Sequence, residues 1–323
     1  MDRRTILVTG ASGFVGSALC RKLAGLNASR TLAAFRTPNA TVPPGVRAVY
    51  TGELASSNDW SLALPGVDVV VHAAARVHIM KESASDALAE FRRVNVGGTL
   101  NLARQAAAAG VRRFIFISSV KVNGESSPPG HPLCADDVPA PQDSYGLSKL
   151  EAEQGLRQLA AATGMEVVII RPVLVYGPGV KANFQSMMQW LRRGVPLPFG
   201  AVNNRRSFVS LANLVDLIVT CIDHPGATNQ VFMASDGNDV SLAMLLQALG
   251  HALGQPVRLV PIPPLLLRGT AQLLGRRDLA QRLLGNLQVD ITKNRQLLGW
   301  YPPYSLEQGL QMTARAYLDD HHI

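Results

Sequence analysis

Short apolar segments alternate with amphipathic segments through the first half of the chain, and this alternation restricts the fold more than any other feature. Residues 6–8, 69–71 and 114–117 read ILV, VVV and FIFI, without a charged residue. Each run has the length of a buried strand, whereas the segments between them repeat apolar residues three and four positions apart, as helices do. Strands buried on both faces and separated by helices form parallel sheets. We therefore predict an α/β fold with a doubly wound parallel sheet.

The predicted elements divide the chain into two regions. Six strands are expected in the segments TILVTG, TLAAFR, VRAVYTG, VDVVVHAAA, VRRFIFISS and MEVVIIRP, with long helices at 85–110 and 144–164. After Pro172, proline-rich loops interrupt this alternation. The prediction is a first domain of residues 1–172 plus about 208–235, which return to the sheet, and a smaller, less regular C-terminal lobe of residues 173–207 and 236–323.

The first predicted strand leads into a glycine-rich turn. TGASGFVG places Gly10, Gly13 and Gly16 directly before a predicted helix. Glycine allows a tight turn and close approach of the backbone to a pyrophosphate, and the free N–H groups and dipole of a helix N-terminus attract that anion. Three glycines alone also fit an ordinary strand–helix turn. Their position in the first strand–helix unit of an alternating chain predicts a Rossmann-type dinucleotide-binding domain.

The end of the second strand bears on the choice of dinucleotide. NAD sites commonly place an acidic residue there to bind the ribose 2′-hydroxyl, but this region reads AAFRTPN, with Arg36 and no acid. A guanidinium can pair with a 2′-phosphate that a carboxylate would repel. The sequence therefore favours NADP(H), with NAD(H) as the alternative; Arg36 also fits a solvated surface residue or one that stacks on adenine.

The segment DSYGLSK, residues 143–149, combines a phenol with an ammonium group. Tyr145 and Lys149 are four positions apart, so a helix brings them to one face, and Asp143 or Ser144 can cap that helix. A nearby cation and the positive end of the helix favour phenolate, which predicts a lowered pKa for Tyr145. Such a tyrosine can exchange a proton with a carbinol or carbonyl group near neutral pH.

Several ordered motifs together resemble the extended short-chain dehydrogenase/reductases. They are TGASGFVG, HAAA (72–75), NVGGT (95–99), ISSVKVNG (117–124), YGLSK (145–149) and RPVLVYGPG (171–179). More narrowly, the chain resembles the branch that contains nucleotide-sugar epimerases, dehydratases and reductases. RRSFVSLANLVDLI (205–218) and DITKNRQLLGWYPPYSLEQGL (290–310) extend this resemblance over nearly the whole chain.

The resemblance implies catalytic and cofactor-binding residues. Ser119 would hydrogen-bond the reacting oxygen, Tyr145 would be the acid/base and Lys149 its partner, with Ser118 as an alternative to Ser119. Glu53 and Leu54 match a pair that holds adenine. The remaining cofactor contacts implied by the resemblance are Gly10, Gly13, Phe14, Gly16, Arg36, Ala73, Ala74, Ala75, Asn95 and Pro172, together with Tyr145 and Lys149.

Several residues are candidates for substrate contact. The candidates are Ser119, Lys121, His78, Asn183, Arg206 and Arg282. Arg206 matches an arginine that members of the family direct at the nucleotide diphosphate, and Asn183 starts a predicted helix, where it either faces a phosphate or simply caps the helix. Leu174 stands where UDP-hexose epimerases generally carry asparagine, and Val120 and Lys121 stand where 4,6-dehydratases usually place Asp-Glu.

These resemblances lead to one main expectation and three alternatives. The main expectation is an NAD(P)H-dependent reductase of a UDP-linked 4-keto-6-deoxy-N-acetylhexosamine, yielding for example UDP-N-acetylquinovosamine for surface polysaccharides. The nearest alternative is a UDP-glucose or UDP-N-acetylglucosamine 4-epimerase with tightly bound NAD. A 4,6-dehydratase and a non-catalytic NAD(P)-binding sensor or assembly protein are disfavoured, the latter because Ser119, Tyr145 and Lys149 occur together.

Composition restricts partners and location. The formal net charge is +8, but the basic residues are scattered and aromatic residues make up 6%, so nucleic acid is not an expected partner. The three cysteines lack metal-ligand spacing, and no signal peptide or membrane-spanning run is visible, which predicts a cytoplasmic protein without a metal. PIPPLLLRGTAQLLGRR, 261–277, is expected to pack into the core rather than on a membrane surface. The family implies a homodimer through helices near 84–109 and 144–163.

Overall fold

A parallel sheet of seven strands forms the centre of the protein. The computed structural model describes residues 4–26, 29–38, 41–77, 87–275 and 277–321. The strands are β1 (Arg4–Thr9), β2 (Ser29–Phe35), β3 (Val46–Tyr50), β4 (Val69–His72), β5 (Arg113–Ile117), β6 (Glu166–Pro172), β7 (Leu174–Tyr176), β8 (Phe208–Ser210) and β9 (Val231–Ala234). The large sheet has the order β3-β2-β1-β4-β5-β6-β9, and all its neighbouring strands are parallel. The predicted doubly wound α/β fold is confirmed.

Helices cover both faces of this sheet and build the C-terminal region. Those in the described residues are α1 (Phe14–Gly25), α2 (Ala87–Phe91), α3 (Thr99–Ala108), α4 (Ser144–Thr163), α5 (Asn183–Arg192), α6 (Leu211–Asp223), α7 (Leu242–Ala252), α8 (Pro264–Leu273), α9 (Arg277–Leu284), α10 (Thr292–Leu298) and α11 (Leu306–Asp320). The helix predicted at 85–110 is divided, because the π-helical segment Arg92–Gly98 separates α2 from α3. No helix among the described residues is long and apolar enough to cross a membrane.

Residues 208–235 return to the large sheet in part. β9 pairs with β6 and forms the sheet edge, and α6 packs against α1. β8 instead pairs with β7 in a separate two-stranded sheet, in the register Leu174 with Phe208. Only the last part of the segment therefore extends the central sheet.

Two clusters of buried side chains form the core. The first surrounds the large sheet and also includes Leu287, Val289, Ile291, Leu298 and Trp300, which the sequence placed in the C-terminal lobe. The second is built mainly from α5, α7 and α11. The division into two domains stays a prediction, but these side chains after residue 286 pack with the sheet.

One expectation about the core is met only in part. Helix α8 was predicted to pack into it; Leu267 and Ala271 do pack against the second cluster, but none of its ten residues is buried. The spacing of apolar residues shows that one face of a helix is apolar, but it does not show that another element covers that face.

Candidate active site

The turn between β1 and α1 fits the pyrophosphate of a dinucleotide. Gly10 has φ +67°, and a Cβ atom there would lie 2.7 Å from the backbone nitrogen of Ala74, beside the end of β4. A Cβ atom at Gly16 would lie 2.2 Å from the carbonyl oxygen of Gly10. Gly13 is the N-cap of α1, and none of the described side chains caps this helix. Its first N–H groups are therefore suited to an anion.

This turn lies where the strand order of the sheet reverses. β1 pairs with β2 on one side and with β4 on the other, with Thr9 opposite His72. Ligands of open α/β sheets bind at the carboxyl ends of strands at this position. Ala73, Ala74 and Ala75 follow β4 at the same edge and are half-buried.

The residues predicted to surround adenine and its ribose also follow strands at this edge. Arg36 comes directly after β2 and is exposed, and Glu53, three residues after β3, is exposed as well. Leu54 packs against the π-helical segment, where a Cβ atom at Gly98 would lie 2.7 Å from Leu54 Cγ. These positions agree with the predicted roles but do not test them.

Helix α4 holds Tyr145 and Lys149 in its first turns. The Asp143 carboxylate caps the helix by accepting a hydrogen bond from the N–H of Gly146 at 2.7 Å. Lys149 Nζ lies 6.0 Å from the centroid of the Tyr145 ring and 4.4 Å from that of Phe116. The two side chains thus share one helix face, as their spacing predicts.

Ser119 follows β5 and begins the short turn that packs against this helix. Its Oγ atom accepts a hydrogen bond from the N–H of Lys121 at 3.2 Å and caps the 3₁₀ turn Val120–Val122. Gly146 lets α4 approach this turn closely, because a Cβ atom there would lie 2.7 Å from the carbonyl oxygen of Lys121. Gly146 was not singled out in the sequence, although its position beside Tyr145 was a usable signal.

Burial dominates the protonation of both ionisable groups. It lowers the pKa of Lys149 to about 7, against an opposing effect of the Glu153 carboxylate, and Lys149 Nζ donates a hydrogen bond to the carbonyl oxygen of Ile117 at 2.9 Å. Burial raises the pKa of Tyr145, and the carboxylate of Asp143 raises it further. The predicted lowering of the tyrosine pKa is therefore wrong for this arrangement, because desolvation and the Asp143 carboxylate both favour the neutral phenol.

Ser118 belongs to a different set of contacts from Ser119. It is buried, and its hydroxyl donates to Glu153 Oε1 at 2.5 Å. The same carboxylate accepts hydrogen bonds from Arg171 Nε at 3.0 Å and Nη2 at 2.5 Å. Because Ser118 is held in this buried ion pair, Ser119 is the better candidate. Glu153 and Arg171 were missed, although Glu153 lies one helical turn after Lys149.

Asn95 connects the loop after β4 to α4. Its side-chain nitrogen donates to the Arg76 carbonyl and to Ser148 Oγ, both at 3.1 Å, and its oxygen accepts from the Arg76 N–H at 2.8 Å. Both ends of the amide thus contact the protein, so Asn95 positions the site rather than facing a cofactor directly. π-Helical turns such as the one that carries it occur frequently at functional sites.

A buried histidine beneath the glycine turn was also missed. His72 Nδ1 lies 2.7 Å from Thr9 Oγ1, and its Nε2 lies 2.9 Å from Thr99 Oγ1. Burial, and secondarily the charge of Lys149, lowers the pKa of His72 to about 3, so the ring is neutral. It joins the carboxyl ends of β1 and β4 to α3; the only sequence signal was its place in HAAA.

The proposed substrate residues are only partly brought together. Lys121 Nζ pairs with Glu125 at 2.8 Å and with Asp143. Arg206 Nη1 donates to the Gly285 carbonyl at 3.1 Å; burial lowers its pKa to about 10, and the charge of Glu125 opposes this effect. These groups form a charged cluster beside Ser119.

The other candidates are more scattered. Asn183 is the first residue of α5 and is exposed, whereas Ala182 is the N-cap, so the interpretation of Asn183 as a simple N-cap is wrong. Arg282 is exposed on α9, and Pro172 is buried at the end of β6. His78 lies outside the described residues.

Comparison with known proteins agrees with this geometry. The model of the NAD dependent epimerase/dehydratase family matches residues 6–234. The chain therefore belongs to this family of extended short-chain dehydrogenase/reductases, which are enzymes that modify nucleotide sugars.

One curated relative and two solved structures are especially similar. The UDP-glucose 4-epimerase of Vibrio cholerae is 48% identical over 316 residues, covering 98% of this chain and 96% of that protein. The UDP-glucose 4-epimerase of Thermotoga maritima, solved with UDP-glucose, has a TM-score of 0.77 and 23% identity, covering 98% of this chain and 99% of that one. The UDP-glucuronic acid 4-epimerase of Bacillus cereus, solved with NAD, has a TM-score of 0.78 and 21% identity, covering 98% of both chains.

Proposed function

We propose that this protein is a 4-epimerase of a UDP-linked hexose or N-acetylhexosamine. The observation that carries the proposal is the 48% identity to the V. cholerae UDP-glucose 4-epimerase over 98% of the chain. The epimerase replaces the 4-keto reductase as the main interpretation, since the V. cholerae relative favours the activity that the sequence analysis gave as the alternative. Ser119, Tyr145 and Lys149 would supply the groups that such a reaction needs.

In this proposal the protein moves a proton while a bound nicotinamide dinucleotide accepts and returns hydride at C4. In its phenolate form Tyr145 takes the proton of the C4 hydroxyl as the carbinol is oxidised, and the resulting phenol returns that proton when the ketone is reduced on its other face. Ser119 donates a hydrogen bond to the same oxygen. Lys149, with a pKa near 7, offsets the charge on the phenolate and is held in place by the Ile117 carbonyl.

Arg206 is proposed to bind the diphosphate of the substrate. It is half-buried next to the charged cluster of Lys121 and Glu125, and a guanidinium can form paired hydrogen bonds with phosphate oxygens. We propose uridine as the nucleoside of the substrate because the similar proteins act on or bind UDP-sugars. Asn183 and Arg282 remain secondary candidates for substrate contact.

One feature favours a reductase as the second candidate. Between Asp2 and Glu53 the sequence contains no acidic residue, and Arg36 is exposed directly after β2. This charge pattern suits the 2′-phosphate of NADP(H), which a reductase consumes and exchanges. Epimerases instead regenerate their bound NAD in each cycle. Preference for NADP(H) over NAD(H) is part of this second proposal.

One experiment separates the two candidates. The purified protein is incubated with UDP-glucose, UDP-N-acetylglucosamine and their C4 epimers without added cofactor, and the dinucleotide released by denaturation is identified. Interconversion of a C4 pair together with released NAD supports the epimerase. Loss of NADPH absorbance with a UDP-linked 4-keto-6-deoxy-N-acetylhexosamine, and no interconversion, would replace it with the reductase.

A further inference from the structure

Helix α8 leaves a large part of its apolar surface exposed. None of its ten residues is buried, and only Leu267 and Ala271 pack against the second core. Four leucines are largely exposed, with 79%, 61%, 88% and 75% of their surface accessible at Leu265, Leu266, Leu273 and Leu274, respectively.

The spacing of these leucines along the helix determines which of them lie close together. At 3.6 residues per turn, Leu266 and Leu273 fall about 20° apart, with Leu265 and the C-cap residue Leu274 about 90° to either side, whereas Leu267 and Ala271 lie about 110° and 150° away. A single exposed leucine is ordinary in a folded protein, but three on one helix and a fourth at its C-cap are of the kind that marks an interaction surface. We refer to these four residues as the α8 leucine face.

The sequence between Asp239 and Asp290, which includes the α8 leucine face, carries a net positive charge. Residues 240–289 contain one acid, Asp278, against the five arginines Arg258, Arg268, Arg276, Arg277 and Arg282, an excess of four positive charges. The side chains of Arg258, Arg268 and Arg282 are exposed. Arg268 lies on α8 itself and Arg282 on α9, which packs against α8, so exposed cations adjoin the leucines.

We propose that the α8 leucine face docks the protein on an anionic lipid bilayer. Leucines of an amphipathic helix bury themselves at the boundary between headgroups and acyl chains, and arginines beside it attract anionic headgroups. The docking is peripheral, since none of the helices in the described ranges can span a bilayer.

A second copy of the chain fits this face less well. A twofold dimer buries the same patch of both subunits, so it would bring together two segments that each carry an excess of four positive charges. An anionic surface neutralises that charge, whereas a dimer concentrates it. The charge pattern thus favours lipid over self-association.

Helices α8 and α9 also adjoin the proposed substrate side. α9 packs against α8 and ends at Leu284, directly before Gly285, whose carbonyl accepts the hydrogen bond from Arg206. Asn204 fixes the same end of α9 by donating to the carbonyls of Leu283 at 3.1 Å and Gly285 at 2.9 Å. Lipid docking therefore involves the region of the protein that is proposed to receive the nucleotide sugar.

Co-sedimentation with vesicles tests the proposal. The full chain is mixed with vesicles of phosphatidylcholine alone and with vesicles in which phosphatidylglycerol makes up about one third of the lipid. We expect roughly tenfold or stronger binding to the phosphatidylglycerol vesicles, weakened by salt. The double variant L266E/L273E should lose roughly tenfold or more of this binding, because carboxylates replace the inserted leucines. R268Q should weaken binding to the anionic vesicles only.

A matched control is available at Leu62, which is 91% exposed in the loop between β3 and β4. L62E should bind vesicles as the wild type does. Melting temperature and turnover of the nucleotide sugar should be unchanged in L266E/L273E and L62E, since these leucines are exposed and lie outside the proposed catalytic and binding residues.

Three results would overturn the proposal. The first is wild-type protein that binds neither vesicle type, and the second is L266E/L273E that binds as tightly as the wild type. The third is a wild-type dimer that L266E/L273E converts to a monomer, measured by light scattering, in the absence of vesicle binding; the face would then bind a second copy.

Discussion

At the scale of single residues, the site depends on two ionisable side chains that the fold has removed from water. Burial gives Lys149 a pKa of about 7 and raises that of Tyr145, so the neutral forms of both groups are favoured. A phenolate at Tyr145 is therefore favoured when Lys149 carries its positive charge. Sequence spacing was sufficient to place the pair on one helix face, but the depth of burial depends on contacts with β5 and its loop, which the spacing does not encode.

The substitution Tyr145→Phe tests the proton transfer directly. It removes the hydroxyl and keeps the ring that packs edge-on against Phe91, with centroids 5.9 Å apart. We expect kcat to fall about a hundredfold to ten-thousandfold, the usual contribution of a positioned acid/base, with little change in melting temperature. Tyr301→Phe, at a 64% exposed tyrosine, is the control and should leave kcat unchanged. Equal kcat in Tyr145→Phe and wild type would remove Tyr145 from the mechanism.

Lys149 should weaken the folded state in a pH-dependent way. Its pKa falls from 10.5 to about 7 on folding, so the unfolded chain binds the proton more tightly between these values. Below a pH of about 7 the buried Lys149 lowers the free energy of unfolding by its full amount, and this loss disappears as the pH rises toward 10.5. The free energy of unfolding therefore increases with pH across that window. We expect Lys149→Met to be inactive but to melt several degrees higher than wild type near neutral pH.

The melting temperatures of wild type and Lys149→Met, recorded from neutral to alkaline pH, check this sign. Their difference should shrink as the pH increases. A difference that is independent of pH would mean that the variant acts through packing and not through the proton.

At the scale of elements, the start of α4 determines how closely the acid/base approaches Ser119. Asp143 caps the helix, and Gly146 is the position where its first turn meets the carbonyl of Lys121. The sequence predicted this helix well because it has a capping residue before its first turn and Gly164, with φ +75°, at its end. It did not predict the close approach, which involves a loop 25 residues earlier in the chain.

Gly146→Ala should therefore impair both activity and stability. Its Cβ atom would meet backbone, at 2.7 Å from the Lys121 carbonyl oxygen, so α4 and the Ser119 loop must separate. We expect a loss of about 1–3 kcal/mol in unfolding free energy, as for other overpacked sites, and a reduced kcat. Gly25→Ala is the control: it is also helical, its Cβ would meet nothing within 4 Å, and it should keep both properties. Denaturant unfolding and steady-state kinetics measure the outcome.

Two other elements show where periodicity is insufficient. The π-helical segment Arg92–Gly98 interrupts a helix that the sequence presents as continuous. Helix α8 has an apolar pattern that suggests burial, but no described neighbour covers the α8 leucine face. In both cases the deciding information is the packing of a distant segment.

At the scale of the whole molecule, the proposed catalytic residues and a buried arginine that stabilises the fold lie at opposite edges of the sheet. The glycine turn, Ala73, Ser119 and Pro172 follow carboxyl ends of strands, whereas Arg113 begins β5 at the amino edge. This separation was predictable in part, because parallel strands place all their carboxyl ends on one side. The residues that stabilise the amino edge were not predictable from the sequence, since many of their partners lie about a hundred positions later in the chain.

Arg113 provides the test of this separation. It is buried and donates to the carbonyls of Cys221 at 2.6 Å, Ile222 at 3.1 Å and His224 at 3.1 Å, as well as to Glu166 at 2.6 Å. It thereby joins β5 and β6 to the end of α6. Arg113→Met leaves these acceptors without their donor, and we expect a loss of about 3–5 kcal/mol in unfolding free energy.

The folded fraction of Arg113→Met should nevertheless keep the wild-type kcat/KM, because the acid/base and the glycine turn lie at the other edge of the sheet. The neighbouring Arg112, whose side chain is 40% exposed, also pairs with Glu166, so Arg112→Met is a closely matched control that should cost about 0–1 kcal/mol. Urea unfolding followed by kinetics at low temperature distinguishes the two variants. A fall in kcat/KM that accompanies the loss of stability in Arg113→Met would show that the amino edge also positions the site, and that the two edges are coupled through β5.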